Sequence, residues 1–142
     1  MFGKVGRPVY VEVDLDCITN NVTVLRNCCL NKHAEVVGVI KAGAYGHGSI
    51  NVGRHLKSIG VERLAVATVD EGIHLRTHNI HGPLHIFGNV QDWEMGMCLQ
   101  HDLIPTVSSE ESVRGMAEAL AHSTKLHNGV HQDGGDMGSE DQ

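Results

Sequence analysis

Apolar and polar residues alternate at the start of the chain. Val9, Val11 and Val13 take turns with Tyr10, Glu12 and Asp14, the two-residue period of a half-buried strand. Asp16 offers a helix N-cap. Ile18, Val22, Leu25 and Cys29 then recur at spacings of four, three and four, which is one apolar helical face. Val36 to Ile40 is a short, β-branched apolar run and predicts a strand covered on both faces, as in a parallel sheet. A helix follows from about Ser49 to Ser58 on Val52, Leu56 and Ile59, with Gly60 as its stop. Leu64 to Ala67 is the next strand. Thr68 and Glu71 have the spacing of a capping box opening another helix, and Asn79 can end it in the left-handed conformation. Leu84 to Phe87 is a strand, Asp92 to Gln100 a helix, and Leu103 to Val107 a strand interrupted by Pro105. Ser108 and Glu111 form a second capping box before Val113, Met116, Ala117 and Leu120, and Lys125 to His131 reads as a fifth strand.

Strand and helix therefore alternate four times after residue 34, which means right-handed βαβ units and a parallel sheet, doubly wound or barrel. A complete (β/α)8 barrel takes about 200 residues or more. These 142 residues hold roughly half of one, so the sheet is either open and self-sufficient or part of a barrel. The stretch 132–142 carries almost no apolar side chains and reads as a disordered acidic, Gly-rich tail. Its carboxylates do not have the spacing of a calcium loop.

Composition narrows the function classes. At 41% hydrophobic and 20% charged residues, the chain has the makeup of a packed domain. A net charge of −6 argues against a sequence-independent grip on nucleic-acid phosphates. No apolar run approaches the roughly 18 residues of a membrane span, and Met1 to Pro8 lacks the apolar core of a secretory signal. The four cysteines form no CxxC, which leaves neither a zinc ribbon nor a disulfide framework and makes a reducing, cytoplasmic setting the expectation. The 11 histidines are scattered and complete no metal-ligand set. Arg7 and Arg76 are expected in surface ion pairs.

The candidate chemistry lies at Lys41, directly after the apolar strand, where parallel α/β folds place their active sites. At the border of an apolar interior, desolvation favours a neutral amine, a nucleophile towards aldehydes that can form a Schiff base. A lysine lining the strand end with its ammonium in water is the plainer alternative. Gly43, Gly46 and Gly48 let backbone pass close to a ligand, and Tyr45 can aim a hydroxyl at a phosphate or pack as a turn aromatic. His47 is expected to make a structural hydrogen bond within the turn.

Val39-Ile40-Lys41-Ala42-Gly43-Ala44-Tyr45-Gly46-His47-Gly48 resembles the cofactor-attachment motif of the alanine racemases, V-K-A-(N or D)-A-Y-G-H-G. Val13 to Asp16 with Asn20-Asn21-Val22 and Leu25-Arg26 resembles the family's opening segment. Leu64 to Ala67, Asp70-Glu71-Gly72 and Leu75-Arg76 resemble its second strand and following helix, and Ile104 to Ser108 its fourth strand. The resemblance runs from about Arg7 to Glu118. It implies a partial (β/α)8 TIM-type barrel of alanine racemase type, about the first half of the barrel, over residues 16–131, with 1–15 as an N-terminal strand belonging to a C-terminal β domain.

The resemblance also implies pyridoxal 5′-phosphate as cofactor and alanine as substrate. Lys41 would hold the cofactor and act as the base on one face of the substrate's α-carbon, Tyr45 would contact the phosphate, and Val39 would line the pocket. The family's second base, a tyrosine, is implied to lie beyond these residues, as are the later barrel strands. A truncated relative of this kind is expected to be inactive or impaired alone, and the family's homodimer is not assumed for it. Gly43 departs from the motif's Asn or Asp. Asp136-Met137-Gly138-Ser139 stands nearest the family's D-T-G-M-G-R, with serine in place of arginine. The alternatives are a non-enzymatic pyridoxal-phosphate-binding protein and an inert fragment.

Overall fold

A computed structural model describes residues 10–31 and 33–129, with side chains through residue 123. Helix α1 is Leu15–Cys28, β1 is Val37–Val39, and the segment Lys41–Tyr45 is a tight turn. Helix α2 (Ser49–Ser58), β2 (Arg63–Val66), α3 (Val69–Thr77) and β3 (Leu84–Asn89) follow. A single 3₁₀ turn at Asp92–Glu94 leads into α4 (Met95–Gln100), then β4 (Ile104–Thr106) and α5 (Glu110–Gly129). The four strands are parallel and lie in the order β1-β2-β3-β4. Sequential parallel strands joined by helices are the open first half of a (β/α)8 barrel.

One sheet face carries the core. Ile40, Leu64, Val66, Leu84 and Ile86 pack with Val52 and Leu56 of α2, Val69 and Leu75 of α3, and Met95 and Cys98 of α4. Each fully buried leucine or isoleucine side chain contributes about 1.5–3 kcal/mol. Gly38 belongs to this face because a Cβ there would lie 2.7 Å from Leu56 Cδ1. The other face holds Val37, Val39, Ala65, His85, Phe87 and Ile104, and it is open: Val37 is 37% exposed and Phe87 52%. Cover on both faces of Val36–Ile40 was the expectation. The helices cover only the outer face, and among the described residues of this partial barrel no strands stand opposite to fill the inner one.

Several other expectations shift. The alternating segment 9–14 forms no strand over residues 10–14, since among the described residues no ladder partner stands beside it, and Tyr10 and Val11 are about 80% exposed. The cap of α1 is Asp14, not Asp16: its Oδ1 accepts from the amides of Asp16 and Cys17 at 2.8 and 3.2 Å. Asp16 sits in the first turn, where an acid complements the helix dipole. Ser109, not Ser108, caps α5 through the Ser112 amide, and Ser108 instead contacts Asn89. The expected strand from Lys125 is helix to Gly129, because extending a capped helix adds one bond per residue while a strand there has nothing to pair with. Residues 130 and 131, Arg7 and the tail 132–142 lie outside the described residues. Pro105 sits in β4, which pairs only with β3 in the described sheet, and there a missing N–H costs little. The Thr106 hydroxyl donates to Ile86 O at 2.7 Å beside it.

Arg76 has its expected ion pair, 4.0 Å from the exposed Asp102 carboxylate, but that is its minor contact. Its guanidinium is largely buried and donates to four backbone carbonyls, those of Ile80, Gly82, His101 and Asp102. Burial lowers its pKa from the ordinary value. Among the described residues no helix is long and apolar enough to cross a membrane.

Candidate active site

Lys41 is held by an unusual backbone. The β1–β2 ladder ends with Ile40 N donating to Ala65 O at 2.9 Å. Directly after Lys41, Ala42, Gly43, Ala44 and Tyr45 are all left-handed, with φ of 50°, 64°, 55° and 54°. Gly46 and Gly48 continue at 86° and 89°. For each of the three residues bearing a Cβ, the left-handed region costs about 1–2 kcal/mol. Such strain persists only where surrounding contacts over-determine it, and it concentrates at functional sites.

Four sets of contacts hold this turn. The Ala44 side chain is buried, and its amide donates back to Ile40 O at 2.9 Å. Gly48 N donates to Gly43 O at 2.7 Å. His47 Nδ1 lies 2.9 Å from Ala44 O and 3.2 Å from Tyr45 O, so it carries the proton and donates to the turn. From outside, the Glu71 carboxylate accepts the Ala42 amide at 2.7 Å. Gly43 takes on meaning here. Asn, Asp and Gly are the residues that most readily adopt positive φ, so glycine in place of the motif's Asn or Asp preserves the backbone requirement.

The three residues singled out from sequence fall together at the carboxyl end of β1. Lys41 is half-buried, and among the described residues no carboxylate lies within ion-pair distance of its ammonium. Val39 is half-buried on the open sheet face, in register with Ala65 of β2. Tyr45 projects from the turn, 61% exposed. Ala65 pairs in turn with His85 of β3, so Val39, Ala65 and His85 form a row across the inner face.

Sequence reasoning missed three neighbours. His85 Nε2 is buried without a hydrogen-bond partner among the described residues. Phe87, two residues on, stands on the same face with its ring 6.5 Å from that of His85, nearer the carboxyl edge. Its signal was an aromatic at an inward position of an apolar strand. Glu71 was read as a cap and as part of the Asp70-Glu71-Gly72 segment, not as the partner of the Ala42 amide.

The arrangement fits a phosphorylated aldehyde such as pyridoxal phosphate. It offers an amine free of ion pairing and a phenol open to solvent. A Cβ at Gly43, Gly46 or Gly48 would meet nothing within 4 Å, which leaves room for a ligand against the backbone.

Residues 13–136 match the family model described as the alanine racemase N-terminal domain. The chain is 42% identical over 131 residues to the alanine racemase of Staphylococcus carnosus, covering 89% of this chain and 34% of that protein. It is 37% identical over 126 residues to the alanine racemase of Methanococcus maripaludis, covering 87% and 34%. Among solved structures it is similar to the alanine racemase of Clostridium difficile 630 in complex with cycloserine. That likeness has a TM-score of 0.79 at 32% identity and covers 85% of this chain and 32% of that one. The chain thus spans about a third of the length of the curated relatives it matches. With its four-stranded half barrel and the lysine turn inside the matched span, the chain belongs to the alanine racemase family, through the N-terminal domain.

Proposed function

We propose that this chain is the cofactor-bearing half barrel of a pyridoxal-phosphate-dependent racemase acting on alanine. The observation that supports it most is Lys41: an unpaired amine at the carboxyl end of β1, opening a left-handed, glycine-rich turn. Lys41 Nζ would hold the cofactor through its aldehyde carbon and would serve as the base on one face of the substrate's α-carbon. Tyr45 would donate its hydroxyl proton to the phosphate, and Val39 would line the cofactor pocket. Bound pyridoxal phosphate supplies the electron sink for the α-carbon.

Inversion needs a base on each face of that carbon. The described residues provide Lys41 for one of them, so the isolated chain binds cofactor without inverting alanine at a full-length relative's rate. The open inner face, with Phe87 and Val37 in contact with water, favours this restricted reading. The test is an absorbance spectrum with pyridoxal phosphate before and after borohydride, with Lys41→Ala as control, alongside a coupled alanine racemisation assay. A Lys41-dependent band trapped by borohydride supports the cofactor reading; its absence in folded protein refutes it. Fast racemisation by the pure chain refutes the one-base restriction.

A further inference from the structure

A capping-box glutamate ordinarily serves its own helix, reaching back to the amide of the N-cap residue. Glu71 does this only at its longest contact, 3.3 Å from Thr68 N. Its shorter bonds leave the helix: Oε2 accepts Ala67 N at 2.8 Å, and Oε1 accepts Ala42 N at 2.7 Å, 29 residues away in sequence. Ala42 is the residue that follows Lys41.

Ladder geometry explains why a carboxylate is needed there. Ile40 N donates to Ala65 O. The two-residue period of a parallel ladder would next pair Ala67 N with Ile40 O and Ala42 N with Ala67 O. Neither bond forms. Ile40 O is taken by Ala44 N, and Ala67 O by Gly88 N of β3 at 2.9 Å. The left-handed turn has swung the chain out of the ladder, orphaning two amides at the point where Lys41 departs. Both donate to Glu71. One side chain therefore replaces the missing rung between β1 and β2 and pins the first left-handed residue.

We propose that Glu71 is the positioning residue for Lys41. Its carboxylate clips the Ala42 amide to the carboxyl end of β2, and so sets the direction from which the lysine amine approaches its ligand. The clip is a statement about Ala42; its consequence for ligand capture rests on the cofactor reading above.

The experiment compares the full chain with Glu71→Gln and Thr68→Ala. Thr68→Ala removes the hydroxyl that accepts Glu71 N, weakening the same helix cap, but leaves the bonds to Ala42 and Ala67 in place. Two readouts are taken: amide hydrogen exchange of the 41–46 segment without cofactor, and the yield of borohydride-trapped pyridoxyl adduct on Lys41 at limiting pyridoxal phosphate. In Glu71→Gln, where a donor NH2 replaces one acceptor oxygen, Ala42 exchange accelerates and cofactor affinity at Lys41 falls about tenfold to a hundredfold. In Thr68→Ala both stay at the wild-type level although the melting temperature drops.

Equal loss of trapping in both variants, tracking their stability, overturns the proposal. So does wild-type exchange and trapping in Glu71→Gln. If the wild-type chain traps no adduct, the cofactor reading fails while Ala42 exchange still decides the clip. If Glu71→Gln does not fold, the wild-type Ala42 amide decides: it lies on an exposed residue, and exchange as fast as in an open turn overturns the clip.

Discussion

Replacing Arg76 with alanine should be among the most destabilising single changes available in this chain. From α3 its guanidinium donates Nε to His101 O at 3.0 Å and Nη1 to Ile80 O at 2.8 Å. Nη2 donates to Gly82 O at 2.9 Å and Asp102 O at 2.6 Å. It therefore ties the loop leaving α3 to the loop entering β4, at the amino ends of the strands. The side chain is 10% exposed, and its contact with the Asp102 carboxylate is a marginal 4.0 Å, so the carbonyls dominate. A hydrogen bond to a charged group contributes about 1.5–3 kcal/mol, but these carbonyls sit in loops that water can enter once the guanidinium is gone. The net expectation is a loss of about 3–5 kcal/mol for Arg76→Ala, a large part of the roughly 5–15 kcal/mol available to a domain. Arg76→Lys should lose about half as much, because an ammonium keeps the charge but not the planar fork that reaches four acceptors. Urea unfolding followed by far-UV circular dichroism measures both. A loss below about 1 kcal/mol in Arg76→Ala, with unchanged denaturant sensitivity, would show the carbonyls equally well satisfied by water and refute the reasoning.

Two further expectations concern the backbone and pH. Gly43→Asn should leave folding and Lys41 adduct formation at wild-type levels, whereas Gly43→Val should lose about 1–2 kcal/mol and much of the adduct. The φ of 64° admits asparagine and penalises a β-branched residue, while the space around the position is open to both; equal behaviour of the two variants in melting and trapping experiments would argue against this. The Asp14 carboxyl is held below its ordinary value of 3.8, chiefly by the Cys17 amide, then by the Cys17 thiol and the Asp16 amide. Its cap of α1 is therefore at full strength above pH 3.8 and is lost as pH falls through the lowered folded-state value. The melting temperature of the wild type should converge on that of Asp14→Ala in acid and separate from it near neutrality.

What was legible in the sequence was local or periodic. The βα rhythm, the Thr68–Glu71 capping box, the left-handed Asn79 and the stop at Gly60 each depend on residues a few positions apart, and the structure holds all of them. The Lys41 turn was legible because its residues are contiguous. The failures share a different cause. Alternation over 9–14 is a sound strand pattern, but a strand exists only with a neighbour to accept its hydrogen bonds. Arg76 reads as a surface cation until loops from two separate connections close around it. The second destination of Glu71 is 29 residues away and arises because a ladder breaks, an event with no signature near Glu71 itself.

The sequential strand order has a consequence for how this chain is made. The described strands begin at residues 37, 63, 84 and 104, and each after the first pairs with the one before it. At translation rates of about 5–20 residues per second, a new strand leaves the ribosome every few seconds, and its partner has already been synthesised. None of the four described strands must wait for a segment still inside the tunnel, as it would in a sheet whose order crosses over. Vectorial synthesis and sheet assembly can therefore run in step, and a pause between units leaves a smaller version of the same open sheet.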